Sequence, residues 1–341
     1  MKTVKCVVWD LDGTLWDGVL LEDRRVTPRP EIVEAITTLS ERGILHSIAS
    51  RNDADAALAK LSEHGLDEHF LYPQIGWHAK SRSIPEIARR LNFGIDALAF
   101  VDDQRFELEE VGYRHPSVLC VAVDDICDAV RSRREFQPRF ITDESRIRRL
   151  LYRSEERRVG DEEDFVGTSE DFLATLDMRL KIAPALEDDL QRAEELTVRT
   201  NQLNSTGRTY SYEQLAALRE DPDHLLLVAS LEDRYGPYGR IGLVLVETGD
   251  GPWTLRLLLM SCRVMSRGVG SVLLHHVMRL ARAANASLHA ELVETGRNRL
   301  MYVTYRFAGF REVRRDGDAL VLEADLSAIP EPPAYLALEV V

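Results

Sequence analysis

The stretch Val7–Leu20, VVWDLDGTLWDGVL, ends an apolar run on two aspartates, Asp10 and Asp12. A β-strand turns residues i and i+2 to one face, so both carboxylates point together while Leu11 packs the other way. Two like charges so close are costly unless a cation and an anionic substrate share the spot. A divalent cation with a phosphate ester meets both needs. Phosphate monoesters hydrolyse so slowly that metal, nucleophile and acid are wanted together. The flanking sequence says where such a strand lies. Up to about Val123, the β-rich runs VKCVVW, ILHSIAS, ALAFV and SVLCVAV alternate with amphipathic helices. Ile32, Val33, Ile36 and Leu39 mark one helical face, and Ile84, Ile87, Ala88 and Leu91 another. Asn52 or Asp53 is placed to cap the helix after SRND. The alternation predicts a parallel sheet covered by helices on both faces, with ligands beyond the carboxyl ends of its strands.

Ser50 ends the second strand, followed by Arg51 and Asn52; Lys80 precedes a helix; Asp102 and Asp103 close another strand. Ser50 can hydrogen-bond a phosphoryl oxygen, Lys80 can balance its charge, and the paired aspartates can complete a metal site. In this order, DLDGT, Ser50, Lys80 and VDD resemble the four motifs of the haloacid dehalogenase superfamily. The resemblance implies a Rossmann-like fold in which Asp10 is the nucleophile that forms an aspartyl-phosphate. It makes Asp12 the general acid/base, which also lends its backbone carbonyl to Mg²⁺. Ser50, Arg51, Asn52 and Lys80 become phosphate-binding residues, and Asp10, Asp12, Asp102 and Asp103 the metal set. Between Thr14 and Pro30 there is room for only a small flap, so a minimal cap is expected. The site is then open to a large substrate or covered by the second half of the chain.

Texture changes near Arg131. The charged, arginine-rich stretch 131–176 reads as a solvated helical connector, or as a basic face that docks an acidic carrier protein. From about 177 a second module begins, with strands RLKIAPA, HLLLVASL, RIGLVLVET, WTLRLLLMSC and ASLHAEL. A glycine turn, RGVG, feeds a helix there and offers backbone N–H groups to a phosphate. With Asn298, Tyr305, Gly309 and Phe310 downstream, this half resembles the GNAT-type acyltransferase fold, an α+β architecture. That resemblance makes Arg267, Gly268, Val269 and Gly270 the grip on coenzyme A or on a carrier's phosphopantetheine arm. It also places the thioester between two splayed strands. The amide-rich run around Asn201, Gln202 and Asn204 reads as a plain loop or as a segment touching the substrate. Asn201 and Asn204 therefore join Asn298 and Tyr305 as candidates for the pantetheine and acyl site. Cys262 ends the splayed strand, and is either a small buried hydrophobe or a thiol that accepts the acyl group. Cys6 lies inside the first strand and reads as core. His275 and His276 ride the helix after the loop, where at least one is expected to face outward.

The 341-residue length suits two domains, expected at 1–130 and 177–330 with a tail at 331–341. A net charge of −14 speaks against nucleic acid and anionic membrane surfaces as partners. Four scattered cysteines without metal-type spacing suggest free thiols in a reducing compartment. No signal-peptide pattern opens the sequence, so a cytoplasmic location is expected.

The order of the halves, with TNQLN and MSCRV in the second, resembles the FkbH-like family of polyketide and related assembly lines. The resemblance implies a phosphorylated three-carbon donor, 1,3-bisphosphoglycerate, and an acyl carrier protein as acceptor of the glyceryl unit. Chemistry gives the fusion independent sense. An acyl phosphate is an activated donor to a thiol, and the second phosphate ester on the same molecule needs a phosphatase. Competing readings are a phosphatase fused to an acetyl-CoA-dependent N-acetyltransferase, and a phosphatase beside a non-catalytic docking module.

Overall fold

The computed structural model describes residues 3–23, 25–249 and 251–341. They form two units, Met1–Arg153 and Ser154–Val341.

In the first unit, strand β1 (Cys6–Trp9) is followed by a small flap hairpin of β2 (Trp16–Asp17) and β3 (Thr27–Pro28). Then come α1 (Pro30–Glu41), β4 (Leu45–Ser50), α2 (Ala54–Glu63), β5 (Gln74–Ile75), α3 (Lys80–Leu91), β6 (Leu98–Asp102), α4 (Arg105–Arg114), β7 (Leu119–Ala122), α5 (Val123–Ser132) and α6 (Asp143–Arg146). The strands lie side by side as β5-β4-β1-β6-β7, all parallel. β1, β4 and β6 are buried along their whole length, because helices cover both faces. Val7 and Trp9 pack with α1 and α5 on one face, and Cys6 and Val8 with α3 and α4 on the other. All four residues expected on the inner face of α3 are buried; on α1, Ala35 takes the inner place expected of Val33. Asp53 caps α2 by accepting from the Ala56 amide. The chain leaves β1 for β4 on one side and later returns to β6 on the other. Such a reversal opens a crevice at the carboxyl end of the central strand, where Asp10 stands.

Helix α7 (Arg148–Glu163) crosses the unit boundary, which therefore falls inside the expected connector. The second unit holds α8 (Ser169–Ala174), β8 (Met178–Pro184), α9 (Leu190–Arg199), α10 (Tyr212–Glu220), β9 (His224–Asp233), β10 (Gly236–Glu247), β11 (Trp253–Met260), α11 (Val269–Ala283), β12 (Leu288–Val293), α12 (Arg299–Phe307), β13 (Phe310–Asp316), β14 (Ala319–Ala324) and β15 (Leu336–Val340). Its mixed sheet runs β13-β14-β12-β11-β10-β9-β8-β15. Alternation along β9 sends Leu226 and Val228 toward α9 and α10, and Leu227 and Ala229 toward α11 and α12. The fold class is the expected one in its architecture: a Rossmann-like α/β unit with only a small flap, and a second unit of α+β type built on a mixed sheet.

The expected tail needs correction. Residues 336–340 pair in parallel with Met178–Ile182 and extend the sheet, anchored by buried Leu336. Neither histidine of α11 faces outward; both are buried, and desolvation, reinforced by Arg279, lowers their pKa.

Candidate phosphate site and candidate acyl site

Asp10 follows β1, and its backbone amide donates to Val101 on β6, which fixes it at the crevice. Its side chain is buried at 3 % exposure, as are Asp102 at 0 % and Lys80 at 4 %. The Lys80 ammonium lies between the two carboxylates, 2.9 Å from Asp10 Oδ1 and 2.6 Å from Asp102 Oδ2. Ser50, at the end of β4, hydrogen-bonds the Asp10 carboxylate. Desolvation raises the pKa of Asp10 despite Lys80 and Ser50. Burial, then the charge of Asp10, lifts Asp102 to about 7. Burial disfavours the Lys80 ammonium, but the two carboxylates outweigh it and hold the pKa up. One lysine thus faces two carboxylates that cannot comfortably ionise together.

Asp103 is exposed and joins them: one oxygen from each of Asp10, Asp102 and Asp103 lies within 4.8 Å of the others. Three hard oxygen donors, one cation short of neutrality, fit a Mg²⁺ ion. Asp103 is held by Thr14, whose hydroxyl accepts from the Asp103 amide at 3.0 Å. Gly13, at φ +69°, leaves room for its carboxylate; a Cβ there would stand 2.6 Å from Asp103 Oδ2. Asp102 Oδ1 accepts from the Gln104 amide at 2.8 Å.

Asp12 is oriented separately. Its Oδ1 accepts from Trp16 Nε1 at 2.7 Å and from the Leu20 amide at 3.2 Å, and its Oδ2 from Asn52 Nδ2 at 2.9 Å. The Asp12 carboxylate stands outside the metal-type cluster, in keeping with a metal contact through its backbone carbonyl alone, while Asn52, expected on phosphate, donates to Asp12. Arg51 also turns aside, pairing at 3.2 Å with buried Glu107 while its own side chain stays 42 % exposed. Trp16 and Thr14 went unread as site residues. Their signal was present in the motif itself, since the turn after DLDG brings Thr14 and Trp16 back toward the aspartates.

The site predicts a pH-dependent response to Mg²⁺. Asp102 binds a proton more tightly folded (about 7) than unfolded (3.8), so its contribution to stability falls as pH rises through that window. The ion needs the deprotonated form. We expect 5 mM-scale Mg²⁺ (roughly) to raise the Tm more at about pH 8 than at about pH 5.5, as read by calorimetry. Equal shifts at both pH values would contradict this.

In the second unit β11 and β12 pair in parallel only at Trp253–Leu255 with Leu288–Ala290 and then diverge, which is the expected splay. The splay is filled. The Ser205 amide donates to the Leu258 carbonyl at 3.0 Å, and the Met260 amide to Leu203 at 2.9 Å. The Leu258 amide donates to Ser205 Oγ, and the Val293 amide of β12 to the Ser205 carbonyl. Asn298 Nδ2 donates to the carbonyls of Asn204, Ser205 and Val293. Asn204 is fully buried, accepts from the Thr206 and Gly207 amides, and donates to Arg208. Tyr305 is fully buried, its ring 5.2 Å from Phe310. Asn204, Asn298 and Tyr305, expected to contact pantetheine, therefore serve the chain itself; Asn201 is exposed.

The glycine loop is engaged as well. Arg267 is 3 % exposed and donates to Glu162 at 2.9 Å and Glu155 at 3.4 Å. Gly268, at φ +74°, lies under the Tyr335 hydroxyl, and Gly270 lies under the Met260 sulfur. Val269 is buried at the start of α11. Cys262 sits in a short turn after β11, partly exposed. Burial pushes the Cys6 thiol far up, consistent with core, and lifts Cys120 to about 11.

No family model matches the chain, and no curated protein does. Among solved structures, it is similar to the N-terminal part of a Bacteroides fragilis protein containing a phosphatase domain complexed with Mg. That match has 26% identity and a TM-score of 0.32, and covers 40% of each chain, so less than half of that protein's length. It is also similar to the PaiA N-acetyltransferase of Thermoplasma acidophilum in complex with coenzyme A, at 16% identity and TM-score 0.35. There 42% of this chain and 98% of that one are covered. The ribosomal-protein-S18-alanine N-acetyltransferase of Escherichia coli matches at 19% identity and TM-score 0.36, over 45% and 97%. Among the described residues no helix is long and apolar enough to cross a membrane.

Proposed function

We propose that the chain is a Mg²⁺-dependent phosphatase coupled to acyl transfer. It acts on 1,3-bisphosphoglycerate or a related phosphorylated acyl donor and passes the glyceryl unit to an acyl carrier protein. The observation that carries the phosphatase half is the convergence of Asp10, Asp12, Ser50, Lys80, Asp102 and Asp103 at one crevice. Asp10 attacks phosphorus, and the bond to the leaving oxygen breaks as Asp12 protonates it. Asp12 then takes a proton from water, which attacks phosphorus and releases phosphate from Asp10. Asn52, Trp16 and the Leu20 amide hold Asp12 in line for both transfers. Lys80 and Ser50 neutralise and orient the transferring group. Mg²⁺, held by Asp10, Asp102 and Asp103, would supply the charge stabilisation that a phosphoryl dianion demands.

The acyl half rests on Cys262, a partly exposed residue in the turn that follows β11. Its thiolate attacks the acyl phosphate carbonyl, and phosphate leaves. The carrier's pantetheine thiolate then attacks the thioester and restores Cys262. Only the terminal thiol of the arm has to reach this turn. Intact-mass analysis of protein and carrier, after incubation with donor and Mg²⁺, tests the relay. Cys262→Ala should lose both the hydroxylamine-sensitive adduct on the protein and carrier loading, while phosphate-ester hydrolysis survives. Cys6→Ala should keep the adduct. Normal loading by Cys262→Ala would mean that transfer is direct.

A further inference from the structure

We propose that the cleft between β11 and β12, the coenzyme seat that a GNAT-like fold implies, is not a seat for coenzyme A in this protein. The chain's own segment Leu203–Thr206 takes that place. A pantetheine arm is an extended chain with two amides, and it binds a strand edge as an added strand would, through backbone N–H and C=O groups. Beyond Leu255, β11 has no such edge to offer. Leu257–Met260 pair with Gly242–Leu245 of β10 on one side. On the other, Leu258 and Met260 are bonded to Ser205 and Leu203. Residues 203–206 are all buried at 4 % exposure or less, and Asn298 clamps the segment to β12, donating to the carbonyls of Asn204 and Ser205 and to that of Val293. Buried backbone groups satisfied in this way are costly to unmake, since any ligand must replace every bond it displaces.

The loop that would grip the pyrophosphate gives a second, independent argument. The charge of Arg267 is matched by Glu155 and Glu162. A pyrophosphate arriving there would meet two carboxylates that already hold the one arginine of the RGVG motif, and like charges at such range repel. The glycines, which in a phosphate loop let a ligand approach the backbone, here admit Tyr335 and Met260. Cleft and loop are closed by different segments, Leu203–Thr206 in one case and α7 with Tyr335 in the other.

This inference concerns the second unit alone and holds whether or not Asp10 is the phosphatase nucleophile. The test is hydrogen–deuterium exchange of the full chain, with and without coenzyme A at about 1 mM, beside a direct titration of binding. The amides of Ser205, Leu258, Met260 and Val293 should be among the slowest to exchange and unchanged by the coenzyme, with no saturable binding. Saturable binding that alters exchange at these four amides overturns the proposal; binding that leaves them unchanged places the ligand outside the cleft and upholds it. Asn298→Ala should release the clamp, speed exchange at Ser205 and lower the Tm. An unchanged Tm and unchanged exchange in that variant would show that the segment is not held as proposed. Phosphate release, measured on the same samples, reports on the Asp10 site separately.

Discussion

Asp10→Asn should lower Mg²⁺-dependent phosphate release by roughly a thousandfold or more, as for other covalent nucleophiles. The substitution keeps the shape of the side chain and removes the atom that attacks phosphorus. It should not unfold the protein. Burial makes the charged form of Asp10 unfavourable and its charge raises Asp102, so a neutral amide relieves repulsion in the metal-free site. A Tm at or above that of the parent without Mg²⁺, together with lost turnover, separates chemistry from folding. Near-parent phosphate release in a coupled dye assay would remove Asp10 from the mechanism.

Lys80→Met should act on stability as well as rate. Lys80 is the cation that compensates two buried carboxylates, at 2.9 and 2.6 Å. Removing one partner of a buried ionic cluster leaves the other charges uncompensated, at a cost of about 3–5 kcal/mol. The loss should be greatest at about pH 8, where Asp102 ionises, and smaller at about pH 5.5, where it holds a proton. Mg²⁺ should restore part of the stability but not the phosphoryl-orienting contact, so turnover stays low. Denaturant unfolding at the two pH values, with and without the ion, checks each part. A variant as stable as the parent at high pH without Mg²⁺ would contradict the charge balance described here.

Much of the first unit was legible in the sequence because its signals are local. Continuous apolar runs become strands buried on both faces, and the residue at the end of each strand is fixed by that run. Asp10, Ser50 and Asp102 could therefore be placed together, with Lys80 added by its place at the start of a helix. Long-range pairing was not legible. That Asn52 reaches Asp12 and Arg51 reaches Glu107 depends on rotamers and neighbours that no spacing encodes. The second unit shows the limit more sharply. The glycine turn and Asn298 were read as ligand contacts, yet the same residue types serve when a protein packs its own chain into that space. Glycine lets Tyr335 approach as readily as a phosphate would. Asn298 bridges carbonyls of its own chain, and Asn204 its own amides, as readily as those of a pantetheine arm. Residues 336–340, with one buried leucine and a charged partner strand, carry too little alternation to announce an edge strand.

The most direct test of the central claim is chemical trapping of the phospho-enzyme. The protein is quenched during turnover of a phosphorylated three-carbon donor with Mg²⁺, reduced with borohydride, and mapped by peptide mass. An aspartyl-phosphate is reduced to homoserine, so the account predicts homoserine at position 10 and at no other aspartate. Steady phosphate release with Asp10 recovered unmodified, or homoserine at Asp12, Asp102 or Asp103 instead, would contradict it.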